Sequence, residues 1–419
     1  MKRAKLAIWI LLVFCLLSSS AFAVSEAALL FLLISPSPRA NGMGQTFMGL
    51  PEYDAIATSY NPGSLGIFAS KNYFSVGFYP SGVQWLPSLT DNVFYDSKAV
   101  NFGFNLYKNL LLVGLGYHKI FLNLGEHEIT DEESPEPIAF FQSFEKARAI
   151  SFGIGGNLGV KIGLGMSIKY IESQLGLFQS GSELITAKAD IVAYDFGGVV
   201  QAPIFELLNN PLDLSISKRH KFRPYLVPAL AYSMNNYGDE VKYQDESQAD
   251  PIPRLARTGY SIDTGIILNH EHLNWKIISF KRANEAEDLL VKERQIPDNS
   301  KVKYQSGLGD IDFYHDVIQG RANPKITQKR GWEINCLEIF YYREGKYDDH
   351  DGKVYYDTKG YGVSLTGLIK FTSILFPRNQ TIKFFAEHVD FQYHWSEIEI
   401  EAEHPLAGTK FKGFNLVIR

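Results

Sequence analysis

The residues best suited to chemistry lie near the C-terminus, where His388, Asp390 and His394 fall on alternate positions of one segment. A His–Asp pair can ligate a metal or act as general base and acid. On an extended strand, however, His388 and His394 stand about 20 Å apart at ~3.3 Å per residue, too far for one ion. His388 with Asp390 remains a conceivable pair, but no serine nucleophile motif accompanies it. The second candidate is Asp348-Asp349-His350-Asp351-Gly352. Aligning Gly352 with the turn glycine of an EF-hand places Tyr347 at the first ligand position, so the calcium motif fails. Asp351-Gly352 reads better as a hairpin turn. No catalytic residue, metal or cofactor is therefore expected. The polar residues Lys161, Lys169, Asp195, His388, Asp390, Gln392 and His394 read instead as the lining of a wet lumen.

Such a lumen needs strands, and the period along the chain is two. Val160, Ile162, Leu164, Met166, Ile168 and Tyr170 oppose Lys161, Gly163, Gly165, Ser167 and Lys169. Val100, Phe102, Phe104 and Leu106 alternate with Asn101, Gly103 and Asn105 in the same way. A helix would have mixed these two sets on one face. A soluble β-sandwich also alternates, but several segments exceed its usual strand length of about five or six residues. The face opposite the apolar one is rich in glycine, suiting a lumen packed with other chain segments. Tyr79, Tyr117, Tyr170, Tyr194 and Trp395 come late in their strands, where a membrane–water girdle belongs. The sequence therefore predicts an all-β fold, a transmembrane antiparallel β-barrel.

Thirteen strands are legible, near 72–79, 98–107, 110–119, 149–157, 159–172, 186–201, 223–235, 257–269, 273–282, 331–343, 354–370, 381–397 and 410–418. A barrel with both termini in the periplasm needs an even number. The long gap 283–330 is expected to hide one more strand around Ser300 to Asp312, giving about fourteen. Segments 80–97, 120–148, 236–256 and Glu344 to Lys353 are expected as outer loops, and Phe371 to Gln380 as a periplasmic one. Segment 202–222 is long for a periplasmic turn, with a short helix expected at Ile204 to Leu208. Acidic residues such as Glu126, Glu128, Asp131, Glu132, Glu133 and Glu136 read as a solvated loop, with cation binding or lipopolysaccharide bridging as the functional alternative.

The ends and the charge fit export. Lys2, Arg3 and Lys5 precede the apolar run Leu6 to Leu17, and Ser18 to Ala23 supply small residues for cleavage, so 1–23 reads as a signal peptide. Cys15 leaves with it, and Cys336 alone allows no intrachain disulfide. The formal charge of −5 offers no footprint for nucleic acid. At the other end Gly413, Phe414, Leu416 and Ile418 form a pattern resembling the signal read by the outer-membrane assembly machinery, although Arg419 replaces the usual final aromatic.

Between signal and first strand, residues 24–70 are interrupted by Pro36, Pro38 and Pro62, and Gly42 and Gly44 permit close backbone approach. This suits a plug folded into the barrel mouth, with 71–419 forming the barrel. Arg39 and Asp54 are expected to pair across it, or against lumen charges such as Asp195 and Lys161. The run Ile34-Ser35-Pro36, Arg39-Ala40, Gly42-Met43-Gly44, then Asp54, Ala57, Asn61-Pro62 and Leu65 resembles the N-terminal signature of the PorV/PorQ family of outer-membrane barrels, relatives of the FadL channels. Ile252-Pro253-Arg254 and Tyr194-Asp195-Phe196-Gly197 are similar to further family segments.

The resemblance implies a Gram-negative outer-membrane protein whose plug motif is Arg39, Gly42, Met43, Gly44, Asp54, Asn61 and Pro62. It implies one of two roles: an accessory or binding barrel in type IX-like protein secretion, ranked first, or a channel for hydrophobic small molecules. A hydrolase ranks a distant third. Expected partners are outer-membrane lipid, lipopolysaccharide, the assembly machinery, and secreted proteins or hydrophobic solutes.

Overall fold

A computed structural model describes residues 27–48, 54–71, 73–130, 137–180, 183–208, 214–215, 220–243, 249–270, 273–291 and 304–419. The expected signal peptide, 1–23, lies outside the described residues. Fourteen long antiparallel strands form one sheet: β1 (Phe74–Gln84), β2 (Phe94–Tyr107), β3 (Leu111–Thr130), β4 (Pro137–Asn157), β5 (Lys161–Ser180), β6 (Glu183–Gln201), β8 (His220–Gly238), β9 (Leu255–His270), β10 (Leu273–Leu289), β11 (Thr327–Cys336), β12 (Phe340–Asp349), β13 (Val354–Ser364), β14 (Val389–Glu399) and β15 (Lys410–Ile418). A two-residue stub, β7 (Leu214–Ser215), pairs with β8. Each long strand pairs with its sequence neighbour, β1 pairs with β15, and β6 pairs with β8, so the sheet closes on itself. Closure leaves no edge strand to desolvate, the condition for crossing lipid as sheet.

The burial pattern is that of a soluble protein turned inside out. Along β5, Leu164 is 54% exposed whereas Ser167 is 1% exposed. Ile162, Met166 and Tyr170 also point out, while Gly163 and Lys169 are buried inside. On β10 to β15, a chain of neighbouring rings runs Phe280, Trp332, Tyr342, Tyr361, Trp395, Tyr393, Phe414 and Phe391 over the outer surface. It lies just below the outward charges Glu344, Lys359 and Glu397, which share one cross-strand row. An apolar exterior bounded by aromatics and then charge marks an outer-membrane barrel. No helix among the described residues is long and apolar enough to cross a membrane, so the strands make the crossing.

Several boundaries differ from the sequence expectation. The fourteenth strand does not come from Ser300 to Asp312. Residues 300–303 lie outside the described residues, and beyond them Tyr304 makes an isolated bridge to Val291 before Gly307 and Gly309 adopt positive φ. The strand is expected there from the length of the gap alone, and these turns occupy the described part of it. The extra strand arises instead because 331–343 is two strands, β11 and β12, joined by a turn with Leu337 and Glu338 at positive φ. The expected loop 120–148 is mostly strand: β3 continues to Thr130 and β4 begins at Pro137. Its acids Glu126 and Glu128 therefore lie on β3, while Asp131, Glu132, Glu133 and Glu136 fall outside the described residues. Glu344 to Asp349 is likewise strand, leaving a tip at 350–353 where Gly352 N donates to Asp349 Oδ1 at 3.0 Å. Finally, 366–388 is no strand but a helical hairpin, Thr366–Leu375 and Gln380–His388. Leu368, Phe371 and Leu375 recur at the three- and four-residue spacing of a helix, and the apolar content of the segment alone suggests strand. The expected short helix forms at Ile204–Leu207.

Candidate functional site: the plug and the opening beside it

The lumen is filled by the chain's own N-terminal segment. Its backbone turns through short helices at Leu30–Leu33, Pro38–Asn41, Ala55–Ser59 and Ser64–Phe68. Ser37 caps the second, accepting from Ala40 N at 3.1 Å, with Pro38 at the first helical position. Asp54 caps the third through Ile56 N at 3.1 Å, and also accepts from the hydroxyls of Ser37 and Tyr79. Tyr79 is thus an inward residue, not part of a girdle. Burial raises the Tyr60 hydroxyl above its ordinary pKa, so it stays neutral and accepts from Ser37 N at 3.0 Å.

The charged anchor of the plug is Arg39, and its partner is Glu333 on β11. The guanidinium donates twice, at 2.9 and 2.7 Å, while Arg343 of β12 donates to the same carboxylate at 2.6 Å. All three are almost fully buried. Burial opposes the charge on Arg39, and Glu333 outweighs it, so the pKa of Arg39 is raised. The expected partners of Arg39 are engaged elsewhere. Asp54 binds hydroxyls as above, and Asp195 takes Lys169 at 3.0 Å. Lys169 also donates to Asn236 Oδ1 at 2.6 Å. Lys161, at the start of β5, lines a separate cavity. A second buried group, Arg257 and Lys329 on Glu287, stands beside the plug, with Arg257 over the Tyr60 ring.

Glycines on the inner wall explain how backbone packs on backbone. Gly103, Gly114, Gly153, Gly165 and Gly197 occupy one cross-strand row over β2 to β6. The segment Asn61-Pro62-Gly63-Ser64-Leu65 lies on this floor: a Cβ on Gly153 would come 2.6 Å from Leu65 Cβ, and one on Gly165 would strike the Pro62 carbonyl. Opposite, Gly331 and Gly345 pair across β11 and β12 and receive Met43 and Gly44. Gly42 meets Gly360, and Gly44 N donates to Thr358 Oγ1 at 2.9 Å. Asn61 reaches through the plug to the wall seam, donating to Gly198 O of β6 and Tyr232 O of β8, each at 3.1 Å. The plug motif Arg39, Gly42, Met43, Gly44, Asp54, Asn61 and Pro62 is therefore brought together as one inner body, though through separate wall partners.

Of the expected lumen residues, Asp390, Gln392 and His394 lie buried on the inner face of β14. Asp390 accepts from Thr366 Oγ1 at 2.6 Å and from Arg419 at 3.0 Å, and His394 meets Arg343 at 3.3 Å. His388 is a correction. It ends a helix rather than lying on the strand, and its Nδ1 is 2.9 Å from the Arg419 carbonyl. It therefore forms no pair with Asp390. Among the described residues, no group of three or more His, Cys, Asp or Glu is placed to hold a metal. On β15, Phe414 and Ile418 face outward and Gly413 inward, and Leu416 shares the outer parity. Sequence reading missed Glu333 and Arg343. The inward parity of Lys329, Gly331, Glu333 and Asn335 was the available signal, but it names no partner.

Beside the plug, pairing among the described residues of the wall stops short. The β6–β8 ladder ends at Gln201 paired with Ala229, while β8 remains paired with β9 down to His220. Ala202 N donates to the Pro228 carbonyl at 2.9 Å, so the even-numbered residues of β8 direct their backbone groups toward β6. Pro224 and Pro228 are on that side and have no N–H to give. Among the described residues, only the stub β7 pairs with this edge below Ala202. A cavity of about 670 Å³ opens there, lined by Phe205, Pro224, Leu226, Val227 and Ile267 together with Lys71, Glu206 and Arg223. A smaller one of about 120 Å³ continues inward past Lys161, Lys276, Lys281 and Asp263 to Met48 of the plug.

No family model matches the sequence, and no curated protein does. Similar solved structures include the Pseudomonas putida toluene transporter TodX, at 9% identity and a TM-score of 0.36, covering 92% of this chain and 97% of that one. The CymD monoaromatic hydrocarbon channel is similar at 11% identity and TM-score 0.34, with coverage of 92% and 97%. A Pseudomonas aeruginosa FadL homologue follows at 9% and 0.36, with coverage of 92% and 98%.

Proposed function

We propose that the chain is a FadL-like outer-membrane channel through which hydrophobic or amphipathic small molecules pass. The observation that carries this reading is the break in strand pairing, among the described residues, where β6 leaves β8, with a half-apolar cavity beside it that continues to the plug. An open cylinder would pass ions and polar solutes; a plugged one with a greasy side opening suits molecules that partition into lipid. The lining cations Lys71, Arg223, Lys161, Lys276 and Lys281 outnumber the acids Glu206 and Asp263, the latter paired with Lys276 and Lys281, and this net positive lining favours a solute carrying a negative end, such as a carboxylate on an apolar tail. The test is uptake of radiolabelled toluene and oleate by cells expressing the full chain. Uptake no faster than in cells carrying an empty vector overturns the proposal.

A second reading, the PorV-like accessory role in protein secretion, is favoured by a different observation. Strands β3 to β6 are 19 to 21 residues long and rise well above the apolar band, offering a tall rigid wall to a protein. Co-purification of a secreted protein with the wild type, lost when the wall is trimmed, would place the chain in this second class.

A further inference from the structure

The apolar belt is uneven around the barrel. On β5 the outward residues stay apolar from Ile162 to Tyr170, eight positions or roughly 26 Å of strand. On β12 they run only from Phe340 to Tyr342 before Glu344, and on β13 only from Tyr361 to Leu365 below Lys359. A bilayer demands a band about 25 Å tall on every side. The helical hairpin 366–388 lies under this low stretch. Gly367 N donates to Glu338 O of the β11–β12 turn at 3.1 Å, and Lys370 pairs with Glu338 while donating to Asn274 O of β10. Phe371 covers Trp275, an outward position of β10, with ring centres 6.3 Å apart. The hairpin thus starts at the rim, where Thr366 reaches Asp390, and passes Phe371 against the outside of the wall.

Their remaining surface is greasy. Leu368, Phe371, Leu375, Phe376, Phe384 and Phe385 are each 45–58% exposed, continuous with Leu365 at the foot of β13. Exposed Arg378 stands at the tip, and Lys383 follows in the second helix. We infer that the hairpin is an interfacial element embedded in the periplasmic leaflet, completing the lipid-facing belt where β11 to β13 are too short. Its occupant is phospholipid: acyl chains against the apolar face, and anionic headgroups at Arg378 and Lys383. A water-facing hairpin would expose a patch that soluble surfaces avoid.

The experiment uses the full chain, carrying Cys336→Ser, reconstituted in phosphatidylethanolamine–phosphatidylglycerol vesicles. A nitroxide at Leu375→Cys is compared with one at Leu164→Cys in the belt and one at His350→Cys at an outer tip. The expected result is that the Leu375 label, like the Leu164 label, relaxes with oxygen at least fivefold more than with a water-soluble nickel chelate. Preference for nickel, as at His350, overturns the inference. So does a label shielded from both reagents, which would mean that a protein surface covers the face. The triple variant Leu368→Glu/Phe371→Glu/Leu375→Glu gives an independent readout. It should lose most vesicle insertion while keeping the barrel's heat-modifiable gel mobility in detergent; unchanged insertion counts against the idea.

Discussion

Glu333 is the residue on which the plug's electrostatics turn, because one carboxylate serves two guanidinium groups in a dry interior. Glu333→Gln leaves Arg39 and Arg343 buried without their counter-charge, a change expected to cost about 3–5 kcal/mol. Thermolysin, which cuts beside apolar residues that every variant keeps, should then cleave the plug in folded protein at a rate at least tenfold above wild type. Arg39→Ala should have a smaller effect, because Arg343 keeps the carboxylate paired. Equal cleavage of both variants and wild type would show that the glycine floors hold the plug unaided. The complementary probe is steric. Gly345→Val drives a side chain into Gly44, so the plug should unseat even with its charges intact, seen by the same protease assay. At this scale the sequence was half legible. Arg39, Gly42, Met43, Gly44, Asp54, Asn61 and Pro62 stand out by type and spacing, but Glu333 lies 294 residues from Arg39, and nothing in a local pattern links them.

At the scale of elements, period two carried the fold, because the membrane imposes one environment on every second residue over long runs. The signal failed where that environment ends. Thr366 to His388 leaves the wall, and its helices keep enough apolar residues to imitate strands. The β11–β12 turn was invisible because Leu337, Glu338 and Ile339 carry no glycine or proline to mark it. The β8 prolines were visible but read as ordinary strand residues. Their meaning follows from which neighbour they face. Pro228→Thr supplies an N–H toward Ala202 and should extend the β6–β8 ladder across part of the gap. If solutes use that opening, their uptake should fall severalfold with barrel stability unchanged or slightly raised, measured by transport and by the gel-shift temperature in parallel. Unaltered uptake would move the path elsewhere.

For the whole molecule, two parts are separable from the ring that spans the membrane. Deleting residues 24–71 removes the occupant of the lumen, and planar bilayers should then show single-channel conductance far above that of the intact chain, which should be near zero. Shortening the tall wall, by joining β3 to β4 at Asn123 and Phe144 and β5 to β6 at Gln174 and Lys188, cuts pairs that lie beyond the belt. Insertion and heat-modifiability should survive this trimming, because ring closure by β1–β15 and β6–β8 is untouched.

The reach of Asn61 has a consequence for how such a body is made. Its amide grips carbonyls on both strands that flank one seam, from the inside, while Met43 and Gly44 rest on the paired glycines of β11 and β12 on the far side. A finished cylinder offers no room to thread so irregular a segment into those seats afterwards. Seating of the plug and closing of the ring are therefore expected to run together, like staves raised around a cask's filling, with protease resistance of the N-terminus appearing as the barrel's heat-modifiable mobility does.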